Sequence, residues 1–329
     1  MQKRKLGSQG LQVSAIGLGC MGMSFAYGKA DEAESLRVLD RSLELGVDFW
    51  DTAEIYGPFT NEILLARALQ GRRKKVVLAT KFAWTFAADG ARLGLDGSRE
   101  NMRRALEGSL KRLGTDFIDL FYLHRMDPNT PIEETVAAMS ELVREGKVRY
   151  IGLSEVGPQT LRKAHAVHPI SALQSEYSLW ETPVRQKLLP VLQELGIGLV
   201  AYSPFGRGFI SGSFESIESL DEDDIRRKFP RFQPEHVTGN LLFVEALRKF
   251  SADKGITLPQ LCLSWLLSQG ENIVPIPGTT RVAHLEEDLA AAEYRLTQAE
   301  KLSIDEILNR CPVSGPRLPD FMMKLVQVP

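Results

Sequence analysis

Cysteine is scarce in this 329-residue chain: Cys20, Cys262 and Cys311 are odd in number and far apart. That excludes a disulfide framework and a zinc-ribbon spacing, and it points to a reducing compartment. Long apolar runs are also missing. None approaches the roughly 18 residues that a membrane span requires, and the amino terminus, MQKRKLGSQG, carries charge without the apolar core of a secretory signal. Nor does either sign of charge dominate. Forty Lys and Arg against 42 Asp and Glu leave a formal charge of −2, too balanced for a main role on nucleic acid or anionic lipid. The expectation is a cytoplasmic protein with neither a nucleic-acid nor a membrane partner; its oligomeric state is left open.

What is present is an ordinary globular balance, 43% hydrophobic and 25% charged residues. Length alone suggests two domains at roughly 150 residues each, but α/β barrels exceed that rule. Short β-branched runs alternate with longer amphipathic stretches almost to the end. After an amino-terminal β-hairpin turning at Ser8-Gln9-Gly10, the strand candidates are AIGLG, VDFW, VVLAT, FIDLFYL, VRYIGL, SALQSEY, GIGLVAY and NIVPI. Between them lie helical stripes such as Asp31 to Leu45 and Arg99 to Leu113. Eight strands, each with a helix, is the arithmetic of an α/β fold of the (β/α)8 TIM-barrel type, whereas an open doubly wound sheet usually stops at about six. The spacing therefore predicts one barrel domain over 1–329. Its surplus length falls in the hairpin, a long loop after strand seven and a carboxyl-terminal tail from Pro312. The 206–239 stretch reads equally as a solvated excursion or as a lid.

Gly17-Leu18-Gly19-Cys20-Met21-Gly22 is a literal G-x-G-x-x-G after a strand, with Asp51 ending the next. Its context is wrong for a dinucleotide fingerprint, because helical periodicity begins only near Asp31 and no helix amino terminus can face a pyrophosphate there. None of the seven tyrosines has a lysine four residues later, so the Tyr-x3-Lys pair of short-chain dehydrogenases is absent. The spacing of His165 and His168 suits a metal, but Pro169 ends that helix and no third ligand is near.

In a barrel of this type, chemistry sits at the carboxyl ends of the strands. There, strand two ends in Asp51 with Tyr56 in the following loop, strand three ends in Lys81, and strand four ends in His124. Such side chains are costly in an apolar barrel unless paired, so their convergence suggests a polar cluster. A phenol near pKa ~10 is a poor acid until an adjacent ammonium stabilises its anion. Lys81 supplies that ammonium, Asp51 holds Lys81, and His124 can align a substrate carbonyl. The alternative is a structural Asp–Lys pair with Tyr56 incidental.

At this point the sequence resembles the aldo-keto reductase family over nearly its whole length. The resemblance is carried by LGxxGLxVSxIGLGCMGMS, VDFWDTAEIYG, VVLATKF, DFIDLFYLHRMDP, KVRYIGLSE, LQSEYSLW, AYSPFGRG and IPGTTRVAHLEEDLAA. The opening run and YLHRMDP look most like the bacterial, fungal and plant reductases of aldehydes and ketones. The resemblance implies a catalytic tetrad of Tyr56, Asp51, Lys81 and His124, with Tyr56 as general acid and NADPH (NADP+) as cofactor. It assigns Ser154 and Gln174 to the carboxamide and Tyr202 to stacking on the nicotinamide. It places Ser203, Pro204, Phe205, Gly206 and Arg207 over the pyrophosphate, and Gly278, Thr279, Thr280 and Arg281 at the 2′-phosphate. Asp288 falls near the adenine, and Glu287 is among the cofactor contacts. Glu155 and Asp288 replace asparagines common in relatives, and His284 replaces an arginine, so NADPH selectivity rests mainly on Arg281.

Met21, Met23, Phe25, Tyr27, Trp84, Arg125, Met126 and Phe205 lie in loops at the same rim and are the candidates for an apolar substrate pocket with one cation. The expected partner is a small aldehyde or ketone, reduced to its alcohol. Two other roles stay open. One is a non-catalytic NADP(H)-sensing subunit of a protein complex; the other is physiological oxidation of an alcohol by NADP+.

Overall fold

Every apolar run read as a strand forms one, most of them trimmed at an end. The computed structural model describes residues 1–327. Lys3–Leu6 (β1) and Leu11–Ser14 (β2) pair antiparallel as the expected hairpin. The barrel begins with Leu18–Gly19 (β3), helix Glu32–Glu44 (α1), Phe49–Asp51 (β4), Thr60–Leu69 (α2) and Val77–Phe82 (β5). A second hairpin, Trp84–Phe86 (β6) with Arg92–Leu95 (β7), was not anticipated. Arg99–Leu113 (α3), Ile118–Leu123 (β8), Ile132–Arg144 (α4), Val148–Ser154 (β9), Pro158–Val167 (α5) and Ala172–Glu176 (β10) follow. The remainder is Val184–Lys187 (α6), Leu189–Leu195 (α7), Gly198–Tyr202 (β11), Pro234–Asp253 (α8) and Leu258–Leu267 (α9). Ile273–Ile276 (β12), Val282–Ala290 (α10), Gln298–Arg310 (α11) and Asp320–Met323 (α12) complete the order. Local signals set the ends of the helices. Asp31 accepts from Glu34 N at 2.8 Å to open α1, and Gly114, at φ +63°, closes α3.

The eight barrel strands are parallel, in the order β3-β4-β5-β8-β9-β10-β11-β12. The ring is nearly closed. Gly17 N donates to Pro275 O and Gly19 N to Pro277 O, both at 2.9 Å. Pro275 and Pro277 have no N–H to return, so the seam is bonded in one direction only and the first strand is cut to two residues. The seam also explains the glycine run. A Cβ on Gly17 would stand 2.6 Å from Phe49, and one on Gly19 would stand 2.8 Å from Ile276 O. These glycines admit close strand packing rather than a phosphate. Leu6, Leu11 and Val13 of the hairpin plug the opposite mouth of the barrel against Phe49, Leu120, Val200 and Val274.

The stretch after β11 is better packed than its charge suggests. Phe209 stacks on Trp180 and on Phe214, with ring centroids 4.6 and 4.7 Å apart, and Phe232 closes on Phe209 edge to face. A solvated excursion is therefore the wrong description around Phe209, Phe214 and Phe232, while Asp221, Glu222 and Asp223 between them are exposed. Ile225 N donates to Ala26 O at 3.0 Å, so the segment arches over the barrel mouth to the loop after β3, and α8 begins within it at Pro234. Among the described residues, no helix is long and apolar enough to cross a membrane.

Candidate active site

The four expected residues converge at the carboxyl-terminal rim. Asp51 is the last residue of β4, Lys81 lies near the end of β5, and His124 directly follows β8. Lys81 Nζ donates to Asp51 Oδ1 at 2.5 Å, to Thr52 O at 2.8 Å and to Tyr56 Oη at 3.2 Å. All three donor positions are used. The second oxygen of Asp51 accepts from Gln174 Nε2 at 2.8 Å, and the His124 ring meets Tyr56 edge-on with centroids 6.0 Å apart.

Burial sets the charges. It pushes the Asp51 carboxyl up, opposed by Lys81 and Gln174. Burial also works against the Lys81 ammonium, but Asp51 and Tyr56 outweigh it and hold Lys81 above its ordinary value. Lys81 therefore keeps its charge. Tyr56 departs from the sequence expectation: burial of the phenol outweighs the Lys81 charge, and the net shift is upward. At neutral pH Tyr56 therefore keeps its proton, the state required of an acid. His124 is held well below the usual imidazole value by burial, and then by the Arg125 and Lys81 charges. A neutral imidazole carries one N–H to donate, and its Nδ1 has no partner among the described residues.

Asp51, Tyr56 and His124 open into one cleft of about 1420 Å³, larger than the ~300–1,000 Å³ of an ordinary small-molecule pocket. Residues 15–309 match the Aldo/keto reductase family. This chain belongs to the aldo/keto reductase family. It is similar to the holo form of aldo-keto reductase AKR11C1 from Bacillus halodurans, with 29% identity, 93% of this chain and 96% of that one covered, and a TM-score of 0.78. A thermostable aldo-keto reductase, Tm1743, solved with the inhibitor epalrestat, shares 31% identity over 93% of this chain and all of its own, with a TM-score of 0.74. Glycerol dehydrogenase AKR11B4 from Gluconobacter oxydans, 24% identical over 95% and 97% of the two chains, shares the fold at a TM-score of 0.86.

This aldo/keto reductase cleft is lined by almost the whole expected cofactor set. Ser154, Gln174, Tyr202, Ser203, Pro204, Phe205, Arg207, Gly278, Thr279, Thr280, Arg281, His284, Glu287 and Asp288 all line it. Gly206 does not. It lies behind the wall at φ +53°, where a Cβ would stand 2.8 Å from the Trp180 ring. Thr279 Oγ1 accepts from Arg281 N at 3.1 Å and shapes the turn into α10. The first amide of that helix, Val282 N, already donates to Glu34 Oε1 at 3.3 Å. Fewer free N–H groups remain for an anion there than the sequence implied.

On the substrate side, Met21, Phe25, Tyr27, Trp84 and Arg125 line the cleft. Met23 and Met126 do not: Met23 is buried in the main core, and Met126 packs against that core. Arg125 donates to His124 O at 2.7 Å and to Ser154 Oγ at 3.0 Å. Sequence reasoning singled out neither Leu93 on the β6–β7 hairpin nor the individual residues Leu318, Pro319, Phe321, Met322 and Leu325 of the tail, all of which line the cleft. The Leu93 and Phe321 side chains are strongly exposed, at 69% and 60%, a signal that burial-minded pattern reading ignores.

Glu54, two residues before Tyr56, is also buried, and its Oε1 has no partner among the described residues. Burial first, then the Glu62 charge, raises its carboxyl to about 8. The folded chain thus binds this proton more tightly than the unfolded chain, where a glutamate titrates near ~4.3, so stability falls as pH rises from there through about 8. Glu54→Gln is expected to flatten the decline in Tm between pH 6 and 9. Parallel Tm profiles for the two proteins would contradict this.

Proposed function

We propose that this oxidoreductase is an NADPH-dependent reductase of hydrophobic, chiefly aromatic, aldehydes and ketones, acting as a cytoplasmic single-domain enzyme. The observation that carries the reading is the 3.2 Å contact of Lys81 Nζ with Tyr56 Oη beside a neutral His124 in the same cleft. The residues present fit a nicotinamide dinucleotide. Tyr202 Oη is buried without a hydrogen-bond partner among the described residues, and Arg281 faces the cleft with no acid paired to it among them.

When bound, reduced nicotinamide supplies a hydride to the carbonyl carbon. The protein supplies the proton. His124 N–H and Tyr56 O–H hold the carbonyl oxygen, and Tyr56 transfers its proton to that oxygen as charge develops, giving the alcohol. Lys81 stabilises the phenolate left behind until solvent returns the proton, while Asp51 keeps the ammonium aimed. Met21, Phe25 and Trp84 bury the substrate body. The 206–233 segment arches over the cofactor side and must open to admit a dinucleotide.

A screen of carbonyl compounds that follows NADPH consumption tests the reading; aromatic aldehydes should be consumed with one NADPH per alcohol formed. No consumption across the panel would overturn it. Arg281→Ala separates the two cofactors. It should raise the Kd for NADPH about 10- to 100-fold, as expected for losing a hydrogen bond to a charged group, and change the Kd for NADH by less than about threefold. Equal losses would remove Arg281 from the 2′-phosphate.

A further inference from the structure

The barrel rim holds a second buried charged cluster that takes no part in the proton transfer. Arg317, in the tail after α11, donates to Glu155 Oε2 at 2.6 Å and to Oε1 at 3.3 Å. The same guanidinium lies 3.7 Å from Glu176, whose carboxylate also receives Arg207 at 3.3 Å. The side chains of Glu155, Glu176 and Arg317 are no more than 3% exposed, and that of Arg207 is 9% exposed. Two carboxylates and two guanidiniums balance, as burial at this depth requires.

Glu155 is the hub. It follows Ser154 of the cleft wall in the left-handed region, at φ +57°, a conformation a non-glycine residue adopts only when its surroundings hold it there. The holding groups are visible. Besides Arg317, its carboxylate accepts from Glu176 N at 2.9 Å and Ser175 Oγ at 3.1 Å, and it does not line the cleft. Its backbone oxygen accepts from Gln327 N at 2.9 Å, and Gln327 Oε1 accepts from Gly157 N at 2.8 Å. The tail is thus tethered at positions 317 and 327 to one residue. Between the tethers, Leu318, Pro319, Phe321, Met322 and Leu325 face the cleft; Leu318 is buried in the main core and Met322, Met323 and Val326 pack against it, but α12 itself has no buried residue.

We infer that Arg317 is a positioning residue that locks the 318–327 wall onto Glu155 and fixes the width of the substrate pocket, and that Glu176, shared with Arg207, couples this wall to the cofactor loop. The inference rests on the cleft being a nicotinamide and carbonyl site. Without the lock, the wall is held only by Gln327 and its apolar contacts and its position loosens; bulky substrates lose a fixed packing surface, and small ones, held by Tyr56 and His124, lose little.

The test compares the full-length chain with Glu155→Gln/Arg317→Gln, which removes one charge of each sign and leaves Glu176 with Arg207. Arg317→Lys, which keeps the charge but loses the two-pronged contact, guards against a folding defect. In the double variant, KM for 2-naphthaldehyde should rise at least about tenfold, while kcat and KM for propanal stay within about threefold, the scale expected for lost apolar contacts in a pocket. Arg317→Lys should fall between. Amide exchange over 318–327 should slow when NADPH saturates the parent chain and should not respond in the double variant. Equal changes in KM for the two aldehydes, or tail exchange indifferent to NADPH in the parent, would overturn the inference. If NADPH protects the tail in the parent alone and no carbonyl is reduced, the lock stands and carbonyl reduction falls.

Discussion

Tyr56→Phe is expected to lower kcat by about 10³–10⁴-fold, near the upper range for losing a positioned general acid, while the Kd for NADPH stays within about twofold. The asymmetry follows from geometry. Tyr56 Oη meets only Lys81 Nζ among described side chains, and the expected cofactor contacts lie on other residues of the wall. The ring remains, so the packing with Phe25 and His124 keeps the loop in place. Single-turnover kinetics with NADPH and an aromatic aldehyde, beside a fluorescence titration of NADPH, check both halves. Full turnover would remove Tyr56 from the mechanism, and a large loss of NADPH affinity would make it a binding residue.

Lys81→Met should be the most destabilising change at the site. It leaves the Asp51 carboxylate, 2% exposed, without its cation, and breaking a buried pair in this way costs about 3–5 kcal/mol. Turnover should fall at least about 10²-fold as well, because the Tyr56 anion loses its partner. The stability loss carries a sign in pH. Burial already raises Asp51, and without Lys81 the folded value rises further above the ~3.9 of an unfolded aspartate. The folded variant then holds this proton more tightly, so stability is greatest at low pH and declines as pH rises through the folded value. The deficit against the parent should therefore shrink between pH 8 and pH 5. Adding Asp51→Asn should recover much of it; a deficit that persists at every pH and in the double variant would show that packing, not charge, is responsible.

The barrel and the four rim residues were legible because both rest on short-range pattern: strand runs of alternating and β-branched residues, and an ionisable side chain at three successive strand ends. What was hidden is long-range. Glu155 and Arg317 are 162 residues apart, and nothing local to either says that they meet. The glycines at 17 and 19 match a phosphate-loop pattern that their context rules out, because a close approach of backbone to backbone and of backbone to ligand select the same residue. Met23 and Met126 are chemically indistinguishable from pocket methionines, and only a turn of backbone sends them to the core. The direction of the Tyr56 shift was misjudged because proximity to Lys81 can be read from spacing, whereas burial of the phenol cannot.

Asp51 divides its two oxygens, one to Lys81 and one to the amide of Gln174. Gln174 lines the cleft, so a molecule that draws on its amide also redistributes charge on the carboxylate that steadies Lys81, and through it the phenol. Occupancy of one half of the cleft is thereby reported in the acidity of the other half. Proton affinity at Tyr56 and ligand affinity at Gln174 are two readings of a single equilibrium, and each must shift when the other does.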